Sequence, residues 1–235
     1  MPTLIDTVGQ QPLEYVYRHL SCERRGYLSL YSYEVGGIPH RFEMIERGNA
    51  VVILPVDFEK REVYYIVQPR YLRAFAETEM GGIMVRTADC LGAGARRFNV
   101  PKDIVLSHEI PAGMIEPKET PISAAIRELK EETGFEIAET DLDPLPPVYP
   151  SNGILTERLW LFIASVTERT PRQKPKGDGN EQITLWKASW NETFDMLAEG
   201  MFKSASSGIL MRELRIRILQ HSEAGPLRGC RKAPY

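Results

Sequence analysis

The sequence predicts an α+β domain of layered type. Three observations lead there: apolar, strand-like runs fill the first third of the chain, one sharply bounded amphipathic helix begins near residue 121, and the later helices and strands are scattered too irregularly for βαβ winding. With 235 residues, 43% hydrophobic and 26% charged, the chain can build a real core in one large domain, or in one domain with a small appendage.

Residues 27–35 alternate apolar and polar side chains, Gly36 and Gly37 give a hairpin-type break, and 41–46 resume the alternation. Residues 50–56 and 63–68 are Val- and Ile-rich runs separated by 57–62, expected as two buried antiparallel strands. Residues 71–104 carry several glycines and little periodicity and read as a long loop or insertion. Gly92, Ala93 and Gly94, with Arg96 and Arg97 after them, lack the strand-turn-helix context of a phosphate loop. A short strand is expected over 105–110.

The helix near 121 has its boundaries written into it. Thr120 is the expected N-cap, Pro121 the first helical residue, and Gly134 a left-handed stop. Ile122, Ala125, Ile126 and Leu129 form its apolar stripe. Beyond it, 141–153 is dense in proline and expected to be irregular. Strands are expected over 159–164 and 183–188, with a mobile loop over 171–180 between them. Asn191 is the expected cap of a helix over 192–199 ending at Gly200. A last helix over 207–221 is apolar at Ile209, Leu210, Leu214 and Ile218, and 224–235 reads as a loose tail.

Composition excludes several function classes. Lys and Arg number 29 against 32 Asp and Glu, a net charge of −3, which argues against binding nucleic acid by bulk charge but not against a small anionic ligand. Cys22, Cys90 and Cys230 offer neither a disulfide framework nor a zinc site and suit a reducing, cytoplasmic setting. The first eleven residues show no basic patch followed by an apolar run, so no signal peptide is expected. The apolar runs fall far short of the ~20 residues that span a bilayer, so no membrane partner is expected. His19, His40, His108 and His221 have no metal spacing, and Trp160, Trp186 and Trp190 read as core or edge packing.

The chemistry concentrates on the helix. At about 100° per residue, Glu128, Glu131 and Glu132 share one face. Carboxylates one turn apart repel, which is poor for stability but suited to hard divalent cations that take oxygen ligands. Arg127 stands four residues before Glu131 and can orient it. Glu119 precedes the cap, where the helix dipole favours an anion.

The full spacing is Gly113, five residues, Glu119, seven residues, Arg127-Glu128-Leu129, one residue, Glu131-Glu132, one residue, Gly134-Phe135. It matches every position of G-x5-E-x7-R-E-U-x-E-E-x-G-U, with U apolar. With seven identities fixed at ~7% usage each, chance agreement is on the order of one in 10⁸ per start site. On this box the chain resembles the Nudix hydrolases. It further resembles their ADP-ribose pyrophosphatase and nucleoside-diphosphate-sugar hydrolase branch in Glu109-Ile110-Pro111-Ala112-Gly113, in Gln68-Pro69-Arg70, in a proline, Pro150, 15 residues after Phe135, in the run from Pro150 and Ser151 through Gly153 to Glu157, and in Gly200-Met201-Phe202-Lys203. The likeness covers roughly residues 40–70 and 105–220. The stretch 71–104 is longer than the usual link in that branch.

The resemblance implies a Nudix αβα sandwich with a mixed sheet over 47–222, preceded by a small N-terminal antiparallel β subdomain over 1–46 that serves dimerisation. It implies hydrolysis of a nucleoside diphosphate linked to another moiety, with ADP-ribose as the first expectation, GDP-mannose or a similar nucleotide sugar as the second, and a non-catalytic ADP-ribose sensor as the third. The complete box acids weigh against the sensor. It implies Mg²⁺, with Mn²⁺ as substitute, held by Glu128, Glu131, Glu132 and the backbone carbonyl of Ala112. Charge requires such ions in any case, because an anionic pyrophosphate would otherwise meet a carboxylate cluster. Glu157 is expected to be the general base, with Glu131 and Arg127 assisting. Arg70, Glu109, Gly113 and Ser151 are expected substrate contacts: Arg70 on a phosphate or the terminal ribose, unless it is a strand-end surface arginine, and Glu109 on a ribose hydroxyl, unless it caps or meets a dimer partner. The expected assembly is a homodimer in which N-terminal strands line the partner's site.

Overall fold

The structure is a computed structural model that describes residues 17–25, 28–35, 41–70, 105–177 and 182–222. The expected insertion at 71–104, the turn at Gly36 and Gly37, and the tail lie outside the described residues.

Chain contacts divide the protein into two units. The first holds the described residues up to Gly48 together with Ser151–Glu157. Its sheet has three antiparallel strands in the order β1 (Tyr17–Arg25), β2 (Leu28–Val35), β3 (Arg41–Glu46). β2 and β3 lie where the alternation placed them. β1 is an addition: its run YRHLSCERR is largely polar and carries little apolar alternation to announce it.

The second unit is built on β4 (Ala50–Asp57) and β5 (Glu62–Pro69). These pair with each other only at the turn, through Val56 with Val63 and Asp57 with Glu62. β4 then runs parallel to β9 (Leu159–Ser165), while β7 (Ala112–Met114) pairs antiparallel with its first residues. β5 pairs antiparallel with β6 (Leu106–Glu109) and with β10 (Thr184–Ser189). β8 (Leu142–Val148) closes the other edge against β9. The sheet is therefore mixed, with three α-helices among the described residues: α1 (Pro121–Thr133), α2 (Trp190–Ala198) and α3 (Ala205–Ser222).

The two faces of β4 show why this is a three-layer sandwich. Side chains alternate along a strand. Val52, Leu54 and Val56 enter one core with Trp190, Leu210, Met211 and Leu214 of α2 and α3. Val51 and Ile53 enter another with Ala124, Ala125 and Leu129 of α1.

Several expectations are corrected. Residues 142–148 form a strand despite Pro144, Pro146 and Pro147, because β8 is an edge strand and the pairing register shifts between Leu145 and Val148. Proline is tolerated where a missing N–H faces no neighbour. Residues 171–177 are not loose. Gln173 N donates to Gly134 O, and Lys176 N and Gly177 N donate to Glu131 O, so this segment caps the end of α1. The cap of α2 is Ser189, not Asn191: its hydroxyl accepts from Glu192 N, and the Glu192 carboxylate accepts from Ser189 N. On α3, Leu210 and Leu214 are buried but Ile209 is exposed, and Met211 takes the core position instead.

Candidate active site

The helix α1 forms where its caps dictate. Thr120 Oγ1 accepts from Ser123 N, Ser123 Oγ accepts from Thr120 N, and Pro121 opens the first turn. At the other end Gly134 has φ 81° and its N–H donates to Lys130 O. Burying Ala124, Ala125 and Leu129 against β4 fixes the rotation of the helix, and that rotation carries Glu128 and Glu132 toward β7.

Glu132 is 2% exposed, and its Oε2 accepts from the amide of Ala112 at 2.8 Å. Glu128 lies against Gly113 so closely that a β-carbon there would overlap its carboxylate. Arg127 ties the cluster together. Its Nη1 donates to Glu128 Oε1 at 2.8 Å and to Glu131 Oε2 at 3.0 Å. Its Nε and Nη2 hold both oxygens of Glu119, and Nη2 also donates to Met114 O. The guanidinium holds the Glu119 carboxyl down to about 2, helped by the Glu116 amide. The same hydrogen bond, with Glu128 beside it, pushes the Arg127 pKa up.

The residues Ala112, Gly113, Arg127, Glu128, Glu131 and Glu132 are thus brought together. Their donors are oxygens, the set that suits a hard divalent cation. Among the described residues, however, no three acidic, histidine or cysteine side chains are gathered as a ready metal group. Arg127 occupies the space between Glu128 and Glu131 as their shared partner. The residues fit a divalent cation in kind, with Glu128 and Glu132 the pair nearest the β7 backbone.

Arg70 and Glu109 meet each other. Arg70 Nε donates to Glu109 Oε1 at 2.9 Å and Nη2 to Oε2 at 2.6 Å, while Gln68 Nε2 also donates to Oε2. Pairing of β5 with β6 puts Glu109 beside Ile66 and makes this contact possible. The Arg70 side chain stays 46% exposed and the Glu109 side chain 10%. The arginine therefore offers its outer face to solvent from a fixed orientation.

Glu157 and Ser151 belong to the first unit. There the segment is held to β3: Ile45 N donates to Ile154 O and Thr156 N donates to Ile45 O. The Ser151 carbonyl closes the turn by accepting from Ile154 N and Leu155 N. Glu157 is buried and faces Arg47, with Nε 3.5 Å from Oε1. Burial pushes its pKa up, and the Arg47 charge opposes that rise. Arg47 was not singled out in the sequence. Nothing in its local pattern marks it, because the pairing depends on a contact between residues 110 positions apart.

The NUDIX domain family matches residues 93–205. The chain is 27% identical to the ADP-ribose pyrophosphatase of Escherichia coli (strain K12), covering 89% of this chain and 91% of that protein. It is 22% identical to the GDP-mannose pyrophosphatase of Cronobacter sakazakii (strain ATCC BAA-894), covering 77% and 80%.

Proposed function

We propose, starting from the fact that this chain carries a Nudix domain and is a Nudix pyrophosphohydrolase, that its substrate is ADP-ribose, cleaved to AMP and ribose 5-phosphate with Mg²⁺ as the working ion. Nudix hydrolases use divalent cations in general, and Mn²⁺ is the expected substitute. The observation that carries the reading is the placement of Glu128 and Glu132 against Gly113 and Ala112. ADP-ribose is favoured over other nucleotide sugars because the ADP-ribose pyrophosphatase aligns with more of the chain, 89% against 77%. The likeness to GDP-mannose pyrophosphatases supports GDP-mannose as the second substrate reading.

In this proposal Glu128, Glu132, Glu131 and the carbonyl of Ala112 hold the cation. When bound, it polarises phosphoryl oxygens and makes water a stronger nucleophile. Arg127 keeps Glu128 and Glu131 oriented. Gly113 leaves room for the Glu128 carboxylate. Arg70, steadied by Glu109, contacts a phosphate through its exposed face. Glu157 accepts the proton of the attacking water. The water oxygen bonds to one phosphorus, the bridging P–O bond breaks, and two phosphate monoesters leave. Ser151 shapes the turn that carries Glu157. A homodimer built through the N-terminal strands, a cytoplasmic setting and the absence of nucleic-acid or membrane partners complete the proposal. Among the described residues no helix is long and apolar enough to cross a membrane.

The test is product-resolved hydrolysis of ADP-ribose beside GDP-mannose and other nucleotide sugars, with and without Mg²⁺. Metal-dependent AMP release from ADP-ribose at the highest kcat/KM supports the proposal. A higher kcat/KM on a nucleotide hexose moves it to the second reading.

A further inference from the structure

The run PRQKPK at 171–176 takes no part in the chemistry above, yet it is held firmly. Besides the amide bonds to Glu131 O and Gly134 O, Glu136 N donates to Pro171 O and Arg172 Nε donates to Thr133 O at 3.0 Å. The segment and the outer face of α1 flank a half-open concavity of about 240 Å³ lined by Arg127, Lys130, Glu131, Gln173, Lys174 and Lys176. The lining carries four cations and one carboxylate, and three further acids, Glu119, Glu128 and Glu136, are paired with Arg127 and Lys130.

Gathering four cations in one small concavity is unfavourable unless an anion offsets it. Two of them have partners: Arg127 has the box acids, and Lys130 has Glu136 at 3.0 Å. Lys174 and Lys176 are carried in by a segment whose backbone is held at Gln173, Lys176 and Gly177, so a ligand has only their side chains left to order. Arg127 is engaged by the box acids and Gln173 Nε2 donates to Glu136 Oε1 at 2.6 Å, so the donors left for a ligand are the lysine ammonium groups, which match the oxygens of a phosphate group. Its volume leaves room beside that group for part of a sugar.

We infer that this pocket is a second anion site, which binds a phosphate group, free or as a monoester, through Lys174, Lys176 and Lys130 without any divalent cation. It adjoins the acidic face, where a phosphate needs a cation to approach. Arg127 and Glu131 belong to both, so the pocket lies directly beside the catalytic box.

The full chain in EDTA, titrated with inorganic phosphate and separately with AMP, tests this by calorimetry and by amide chemical-shift mapping. The expected result is saturable binding of both, with adenosine inert and with shifts centred on Lys130, Gln173, Lys174 and Lys176. A double variant, Lys174→Gln with Lys176→Gln, is expected to weaken phosphate binding at least tenfold, and the Lys→Arg pair to restore it. If the lysines only complement the negative end of α1, the Gln pair lowers Tm and leaves affinity unchanged, which overturns the inference. Absence of saturation, or shifts lying elsewhere, overturns it too, and the wild-type mapping decides even if the Gln pair fails to fold. Binding by phosphate but not AMP identifies the free anion as ligand, and the reverse identifies the monoester. Because the readout is metal-free, hydrolysis of ADP-ribose stands or falls separately.

Discussion

The buried carboxylate of Glu132 accepts a hydrogen bond from the backbone amide of Ala112 across 20 positions of sequence, so the last acid of the helix is locked to the strand that precedes it. Replacing Glu132 by Gln keeps an acceptor for that amide but removes the charge. We expect Tm to change little while kcat/KM falls by more than the ~10–100-fold typical of an outer partner of a metal ligand. Glu132→Ala should add a folding defect of about 1–3 kcal/mol, because a buried N–H loses its partner. Paired activity and urea-denaturation measurements separate the two; equal activity in Glu132→Gln and wild type would remove Glu132 from the site.

Gly113 has the opposite profile. A methyl group there overlaps the Glu128 carboxylate, the far end of a side chain that can swing aside. Gly113→Ala should therefore fold with near-normal stability and lose activity through displaced Glu128. A large drop in Tm with activity per folded molecule intact contradicts this account.

Arg127 neutralises Glu119, Glu128 and Glu131 at once. The Glu119 pKa is lowered in the folded state, so its contribution to stability is present above its ordinary value of 4.5 and is lost as pH falls toward about 2. Arg127→Ala should cost about 1–3 kcal/mol near neutral pH, and the deficit should shrink under acid conditions. Denaturation at pH 7 and pH 3 reads the sign; a deficit that grows on acidification contradicts it.

Glu157 carries the reverse sign. Burial raises its pKa above 4.5, so folding favours the protonated acid, and stability is given up as pH rises through the unfolded value to the folded one. Glu157→Gln should be at least as stable as wild type at pH 7 and indistinguishable at pH 3. As the proposed base it must be ionised, so the acid limb of kcat/KM should report this carboxyl, displaced upward from its ordinary value. Removing the opposing charge by Arg47→Gln should move that limb to higher pH. A limb unmoved by Arg47→Gln detaches Arg47 from the reaction.

Gly134 adopts φ 81°, and a side chain there would meet the backbone carbonyl of Gln173. Gly134→Ala should destabilise by more than the ~1–2 kcal/mol of a left-handed non-glycine residue alone, because the obstacle is backbone and cannot swing away. Thermal unfolding measures it.

What the sequence determined by itself is what depends on neighbours along the chain. Thr120, Pro121 and Gly134 bound their helix through local hydrogen bonds and backbone conformation, and the helical period puts Glu128 and Glu132 on one face before any fold is known. The Val- and Ile-rich runs of β4 and β5 are legible for the same reason. Tertiary structure decided what depends on distant partners. The prolines of β8 are tolerated only because that strand lies at an edge. Residues 171–177 look loose in sequence and become a helix cap because the carbonyls of Glu131 and Gly134 need donors. Arg70 and Glu109 read as two separate substrate contacts and are one ion pair, since β5 and β6 pair in that register. Arg47 finds Glu157 only through the contact of β3 with Ser151–Glu157. Local physics chose the chemistry of the helix acids and set Arg127 beside Glu128 and Glu131; long-range pairing chose the cations that Glu109 and Glu157 face.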